Sequence, residues 1–329
     1  MENNNLDKYK KYLEEETAEN VVIPKEEAEA ESHADTEDIK SKKIDKKKSK
    51  SLPIIIVAIV VLACGVLGGG FLFKDDIKNI INPTTTVPPE PTNVVTVTFP
   101  EGYTIYQMGE LLETNGVCSK DEFYQAANTP VEDIEITNPD ERAFLLEGYL
   151  FPDTYEFYLD EDASVVIEKF IDNYNKKITP EIRQKATDLG YTIDEMLTLA
   201  SIIQKECDFD LEECKNVSSV FHNRLKNSRE TYLGSDVTYF YLKNMADFLG
   251  GKDSEKFDYL LTKYYTYNKY RKGLPVGAIC NPGIKAITAA VEPADTDYYY
   301  FLTDESGTDF YYAETYNQHL ANGKKAGIM

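Results

Sequence analysis

A glutamate near the end of an apolar helical stretch is the residue in this chain best suited to chemistry. In TIDEMLTLASIIQKEC, Thr192 and Glu195 have the spacing of a capping box and open a helix. Met196, Leu199, Ala200, Ile202 and Ile203 form its apolar stripe. Glu206 follows Leu199 by seven positions, Ile202 by four and Ile203 by three, which puts it on that buried face, where a carboxylate is unexpected. Gln204 and Lys205 fall to either side. Desolvation, the negative end of the helix dipole, and the nearby Asp208 and Asp210 would each raise the pKa of Glu206. A carboxylic acid that keeps its proton near neutral pH can protonate the leaving oxygen of a glycosidic bond. The opposing reading pairs Glu206 with Arg224, which continues the stripe Val217, Val220, Phe221 of the next helix. An ion pair there would lower the pKa and make Glu206 architectural, and the helix pattern alone leaves both readings open.

The elements that must position this helix can be followed along the chain. VVTVTF (Val94 to Phe99) alternates as a strand, Glu101-Gly102 turns the chain, and Ile105, Met108, Leu111 and Leu112 recur at helical spacing before Gly116. A second short helix fits Lys120 to Ala127, so 94–130 reads as a small module similar to LysM, with simple orientation of the next domain as the plainer alternative. LEGYLFPDTYEF (Leu146 to Phe157) is aromatic and β-prone. Within it Glu147 and Asp153 are candidates to shape a cleft, although Asp153 after Pro152 also suits a turn. Val165 to Tyr174 and Pro180 to Leu189 read as amphipathic helices, and Tyr191 to about Asn227 as two consecutive helices. Tyr-rich strands, short helices and Gly/Pro loops follow. The expected class is α+β, with the main domain over 131–329.

Ahead of this lies an uncharged apolar run of 22 residues, Leu52 to Phe73. As a helix it would reach roughly 33 Å, enough to cross a bilayer core. Lys42, Lys43, Lys46, Lys47, Lys48 and Lys50 precede it and should stay cytoplasmic. About 50 polar residues come first, so an uncleaved single-pass anchor is favoured over a cleaved signal peptide. Residues 1–51 then form a charged, disordered cytoplasmic tail, and the Pro/Thr-rich 74–93 a linker to an extracytoplasmic part. Beyond residue 50 there are 24 basic and 43 acidic residues. So acidic a part is a poor partner for nucleic acid or anionic lipid. With only His33, His222 and His319, and no CxxC motif, neither a metal site nor a cofactor is expected. The exported Cys118, Cys207, Cys214 and Cys280 read mostly as buried fillers, with a Cys207–Cys214 pair as the lesser alternative. The 24 Tyr residues could stack on sugar rings, but most are better read as covering faces of elements.

The blocks LEGYLFPDTYEF, LASIIQKEC, VSSVFHNRL, SDVTYFY, TYNKY, GLPVGAICNPG and DYYYFLTDESGTDF with ETYNQHL occur in an order that resembles the YceG-like (MltG) family, the membrane-anchored endolytic murein transglycosylases. The resemblance runs from about Val94 to Leu320. It implies a lytic cut between N-acetylmuramic acid and N-acetylglucosamine within nascent peptidoglycan strands, leaving a 1,6-anhydromuramic end. It also implies work beside wall-synthesis (penicillin-binding) proteins. Glu206 matches the family's catalytic glutamate and would act as acid and then base. Ser235, Asp236, Tyr267 and Asn268 fall in blocks that imply hydrogen bonding to or stacking on sugar, although Asp236 could instead cap a helix starting at Val237. This chain departs from the family pattern at Gln204, where Glu is common, at Cys207, where Thr is usual, and at Asp309, where His is frequent. The alternatives are a water-using muramidase, with Asp208, Asp210 or Asp236 as second carboxylate, and a non-catalytic wall-binding scaffold.

Overall fold

The computed structural model describes residues 93–132, 134–207, 210–226, 232–267 and 272–328. The proposed tail, the apolar run 52–73, all but the last residue of the linker, and Asn268 lie outside the described residues. No helix among the described residues is long and apolar enough to cross a membrane.

The described part is α+β and dominated by helices. Strand β1 (Val94–Thr98) leads into α1 (Ile105–Thr114) and α2 (Lys120–Ala126), and β2 (Thr154–Tyr158) follows a long connection. Then come α3 (Ala163–Lys177), α4 (Pro180–Asp188), α5 (Ile193–Glu206), α6 (Leu211–Lys226), α7 (Val237–Asn244) and α8 (Glu255–Tyr264). The chain ends with α9 (Ile284–Val291), the hairpin β3 (Tyr300–Thr303) and β4 (Phe310–Ala313), and α10 (Tyr316–Ala326). β1 pairs antiparallel with β2, from Val94 opposite Tyr158 to Thr98 opposite Thr154. This pairing crosses the boundary drawn at 130. The stretch 94–130 draws its second strand from the LEGYLFPDTYEF block, and the two halves share one apolar core. Sequence alternation gives each strand but not its partner, which is why the pairing was not legible.

Local chemistry sets the helix ends. Thr104 and Gln107 form a capping box at α1, and Thr192 and Glu195 form the expected one at α5. Asn115 caps α1, and Gly116 follows with φ +71, the left-handed residue that ends the helix. Ser119, Asp162 and Thr179 cap α2, α3 and α4 with their side chains. The first-turn proline of α4 costs no hydrogen bond, because that amide has no partner in the helix.

The core gathers two sets of side chains. Phe99, Phe157 and Phe170 meet edge-on and tilted under the β1–β2 sheet, with Tyr155 beside them. Around the functional helix, α5 is buried from Met196 through Gln204, wider than the single stripe read from sequence. It packs chiefly against α9, whose Ala286, Ala289 and Ala290 allow close approach, and α9 in turn packs on α6. At the start of α5, Asp194 is buried against the Arg142 guanidinium at 2.5 Å and the Tyr149 hydroxyl at 2.6 Å, locking the aromatic block onto the helix.

Candidate active site

Glu206 is the last residue of α5 and is half-buried. Its carboxylate accepts a 2.5 Å hydrogen bond from Ser235 Oγ. Burial is the strongest influence on it and raises its pKa above the ordinary carboxylate value. The Ser235 hydroxyl and the Arg224 charge pull the other way, and the Asp236 charge adds to the rise. The question left open by the helix pattern is thereby answered in direction: desolvation outweighs Arg224. The guanidinium is also occupied by carbonyls, with Nε donating to Tyr299 at 2.7 Å and Nη1 to Leu233 at 2.7 Å and Gly234 at 3.2 Å. Arg224 therefore holds the loop that carries Ser235 while placing positive charge near Glu206.

Ser235 is 2 % exposed and is fixed by two threonines. Its amide donates to Thr266 Oγ1 at 3.0 Å, and its carbonyl accepts from Thr266 Oγ1 at 2.9 Å and Thr238 Oγ1 at 2.8 Å. The Gly234 amide donates to the Thr266 carbonyl at 3.1 Å. The segments 233–238 and 264–267 are thus stitched together behind the Ser235 hydroxyl. Thr238 and Thr266 were not singled out from sequence, because two threonines in separate blocks announce nothing until the fold brings them together. Tyr267 lies within electrostatic reach of Asp236, Arg224 and Glu206, and burial raises its phenol to about 12, so it is a neutral hydrogen-bonding ring at neutral pH. It sits between the rings of Tyr232 and Tyr265, each 6.1 Å away. Asp236 is exposed and stands at the N-cap position of α7, which starts at Val237 as the capping reading requires, but in αR backbone conformation and without a side-chain capping bond. The structure thus brings together Glu206, Ser235, Asp236 and Tyr267.

Replacing Ser235 with Ala tests this arrangement. The hydroxyl stabilises the ionised form of Glu206, so its loss should raise the Glu206 pKa further. A reaction that needs the protonated acid loses rate as pH rises through that pKa. The Ser235→Ala variant should therefore show its basic limb at higher pH and a maximal rate about tenfold lower. A pH–rate profile of the variant beside the wild type checks both.

Two residues expected to shape a cleft do other work. Glu147 is fully buried. Its carboxyl accepts from the Ile105 amide at 3.0 Å, from Asn281 Nδ2 at 2.9 Å and from Tyr241 Oη at 3.1 Å, so it ties the start of α1 to α7 and to the 278–283 loop. Burial raises its pKa to about 8. Next to it Gly148 has φ +94, and a Cβ there would stand 2.6 Å from Ala278 Cβ, so only glycine permits the loop to close. Asn281 Oδ1 completes the closure by accepting from the amides of Gly148 and Leu150, both at 2.9 Å. Asp153 accepts from the Thr154 amide at 2.9 Å and meets Asn173 and Lys177, each at 3.1 Å, which is the turn role.

The departures also find places. Gln204 Oε1 accepts from the Gly283 amide at 2.9 Å and docks α5 on the start of α9. Asp309 lies exposed in the turn of the β3–β4 hairpin, where its amide donates to Asp304. Cys207 is bonded to Cys214, while Cys118 and Cys280 are free thiols. The lesser alternative for the cysteines is therefore the one observed. Among the described residues no group of His, Cys, Asp and Glu is arranged to hold a metal ion.

The chain is similar to curated proteins named endolytic murein transglycosylase. One, from Streptococcus pneumoniae, is 29 % identical over 273 residues, covering 76 % of this chain and 47 % of the relative. Another, from Bacillus subtilis, is 33 % identical over 205 residues, covering 61 % of this chain and 51 % of the relative. The chain thus spans about half the length of the curated relatives it matches. A crystal structure of a YceG-like protein from Listeria monocytogenes superposes with a TM-score of 0.56 at 28 % identity, covering 69 % of this chain and 75 % of that one. The YceG-like family model matches residues 71–325, which include the helix ending in Glu206, the Ser235 loop and the capped elements that hold them. This chain belongs to the YceG-like family.

Proposed function

We propose that this protein is a membrane-anchored endolytic lytic transglycosylase of peptidoglycan. The observation that carries the reading is a half-buried glutamate whose proton is favoured by burial and whose carboxylate form is supported by the Ser235 hydroxyl and the Arg224 charge. A group that must give up a proton and then take one back needs both tendencies. In the first step Glu206 protonates the O4 leaving group as the bond from muramic C1 breaks. In the second the substrate's C6 hydroxyl attacks C1 and passes its proton to the Glu206 carboxylate. The ring closes as a 1,6-anhydro sugar, the acid is regenerated and no water is used. Ser235 orients the carboxylate, while Asp236 and Tyr267 with Asn268 contact the sugar. The naming of the relatives supports the substrate class.

The exposed Asp236, whose charge reaches Glu206, favours one second reading, water-using hydrolysis with Asp236 as the other carboxylate. Around the site, residues 52–73 serve as the anchor, 1–51 as the cytoplasmic tail and 74–93 as the linker. Residues 94–130 serve as the LysM-like module that contacts the wall, and penicillin-binding proteins are the partners. The test is digestion of purified peptidoglycan by the full chain in detergent. Internal cuts with anhydromuramic ends are expected. Reducing muramic ends would favour the hydrolytic reading, and binding without any cleavage would favour a scaffold.

A further inference from the structure

The carbonyl carbon of Glu206 is bonded to the nitrogen of Cys207, and Cys207 forms a disulfide with Cys214. Cys207 ends α5 in extended conformation, its amide donating to Ile203 at 2.9 Å. Cys214 lies in the first turn of α6, the helix that carries Arg224. The helices α5 and α6 touch each other far less than each touches α9. The crosslink is therefore a covalent tie between the end of the helix bearing Glu206 and the start of the helix bearing Arg224. Both cysteines are buried, at 1 % and 0 % exposure, and Cys207 directly follows Glu206 at the end of α5.

We infer that the Cys207–Cys214 disulfide is a positioning device for Glu206 and makes the site redox-responsive, with the oxidised form the fast enzyme. This rests on the catalytic reading of Glu206 above. The reductant class is a dithiol. One of its thiolates attacks a sulfur of the pair and breaks the S–S bond. Its second thiol resolves the mixed disulfide, so two electrons and two protons pass to Cys207 and Cys214 and the reductant leaves as a disulfide. Reduction loosens the corner without unfolding it. Cys214 Sγ lies 3.4 Å from the Cys207 carbonyl oxygen, so the released thiol has an acceptor in place. The rest of α5 stays fixed by α9 and by Gln204 on Gly283. What changes is the placement of the Glu206 carboxyl relative to the groups that face it: Ser235 and Asp236 on the 233–238 segment, Arg224 on α6 and Tyr267 on its own loop. Water gains access, the effect of burial weakens, and the acid holds its proton less firmly.

The test uses the full chain in detergent. Alkylation of the denatured protein, read by intact mass, is expected to label three of the five cysteines before reduction and all five after it. Cleavage is then followed across pH for the oxidised enzyme, the dithiol-reduced enzyme, the reoxidised enzyme, the Cys207→Ser/Cys214→Ser variant and Glu206→Gln. Reduction is expected to lower kcat about tenfold with KM little changed, as a small misplacement of an acid does. It is also expected to move the basic limb to lower pH, and reoxidation to restore both. The double serine variant should resemble the reduced enzyme and ignore reductant. Five labelled thiols before reduction would overturn the proposal. So would a reduced enzyme with a lower melting temperature but unchanged kcat and pH profile, since that is a merely stabilising crosslink. If Glu206→Gln still cleaves, the catalytic reading fails and the proposal with it; if Glu206→Gln is inactive and reduction changes nothing, only the positioning role fails.

Discussion

Replacing Glu206 with Gln should cut the rate of strand cleavage by at least about a thousandfold while leaving the protein folded. Positioned acid–base catalysis contributes roughly 10²–10⁴ in rate, and here one group serves in both proton transfers. The amide keeps the size of the side chain and an oxygen that can still accept from Ser235 Oγ. It also removes an ionisable group from a desolvated position, so the variant should be as stable as the wild type or slightly more so. Cleavage assays paired with thermal unfolding check this, and an inactive variant that is also unfolded would be uninformative about Glu206. The stability half of the prediction is therefore as important as the loss of rate.

The second large effect falls on Glu147, which touches no solvent. Glu147→Ala leaves the buried Ile105 amide without its acceptor and takes one acceptor each from the Tyr241 hydroxyl and the Asn281 side chain, which keep Tyr264 and the Tyr103 carbonyl. Such losses cost about 3–5 kcal/mol together, measurable by denaturant unfolding. Glu147→Gln keeps an acceptor and should cost about 1–2 kcal/mol. The two variants also differ from wild type in pH dependence. The folded pKa of Glu147 is raised from 4.5 to about 8, so the folded state holds this proton more tightly than the unfolded chain. The stability it contributes is fully present below the unfolded pKa and is lost as pH rises through the folded one, over the window from about pH 4.5 to about pH 8. Wild type should lose stability across that window, and the Gln variant should lose less. Ile105, Tyr241 and Asn281 all donate to this carboxyl, which favours its ionised form, yet burial outweighs them. Tyr241 resolves the conflict because it also bonds to Tyr264. When Glu147 is protonated the Tyr241 hydroxyl can donate there instead. Tyr241 stands on α7 just after Ser235 and Asp236, so a disturbance at Glu147 reaches the site through that helix.

How much of this was legible in the sequence depends on whether the signal was local. The α5 capping box, the strand β1, and the helices α1, α2, α4 and α5 lie within a residue or two of where periodicity and end signals put them. Glu206 was legible because a carboxylate in an apolar stripe is anomalous by itself. The sign of its pKa shift was not, since Arg224 is near enough to matter and only the fold shows how much burial opposes it. Pairings between distant segments were equally hidden. β1 found its partner at β2, Ser235 found Thr266, and Glu147 found Asn281 and Ile105, each across a gap that no local pattern encodes. Glu147 also shows the limit of reading a charge in an aromatic block as part of a cleft, because the block turned inward and took its acid with it. The Cys207–Cys214 bond was within reach of spacing alone, but seven residues between cysteines in a large domain is weak grounds until the end of one helix and the start of the next are seen to meet.

The most direct test of the central claim is digestion of peptidoglycan in water enriched in heavy oxygen, with the new strand ends read by mass spectrometry for the wild type and for Glu206→Gln. The account predicts that wild-type ends are anhydromuramic, lighter by one water than a reducing end and free of solvent oxygen, and that the Gln variant makes no new ends. Solvent oxygen in the wild-type ends, or anhydro ends produced at an undiminished rate by the variant, would contradict it.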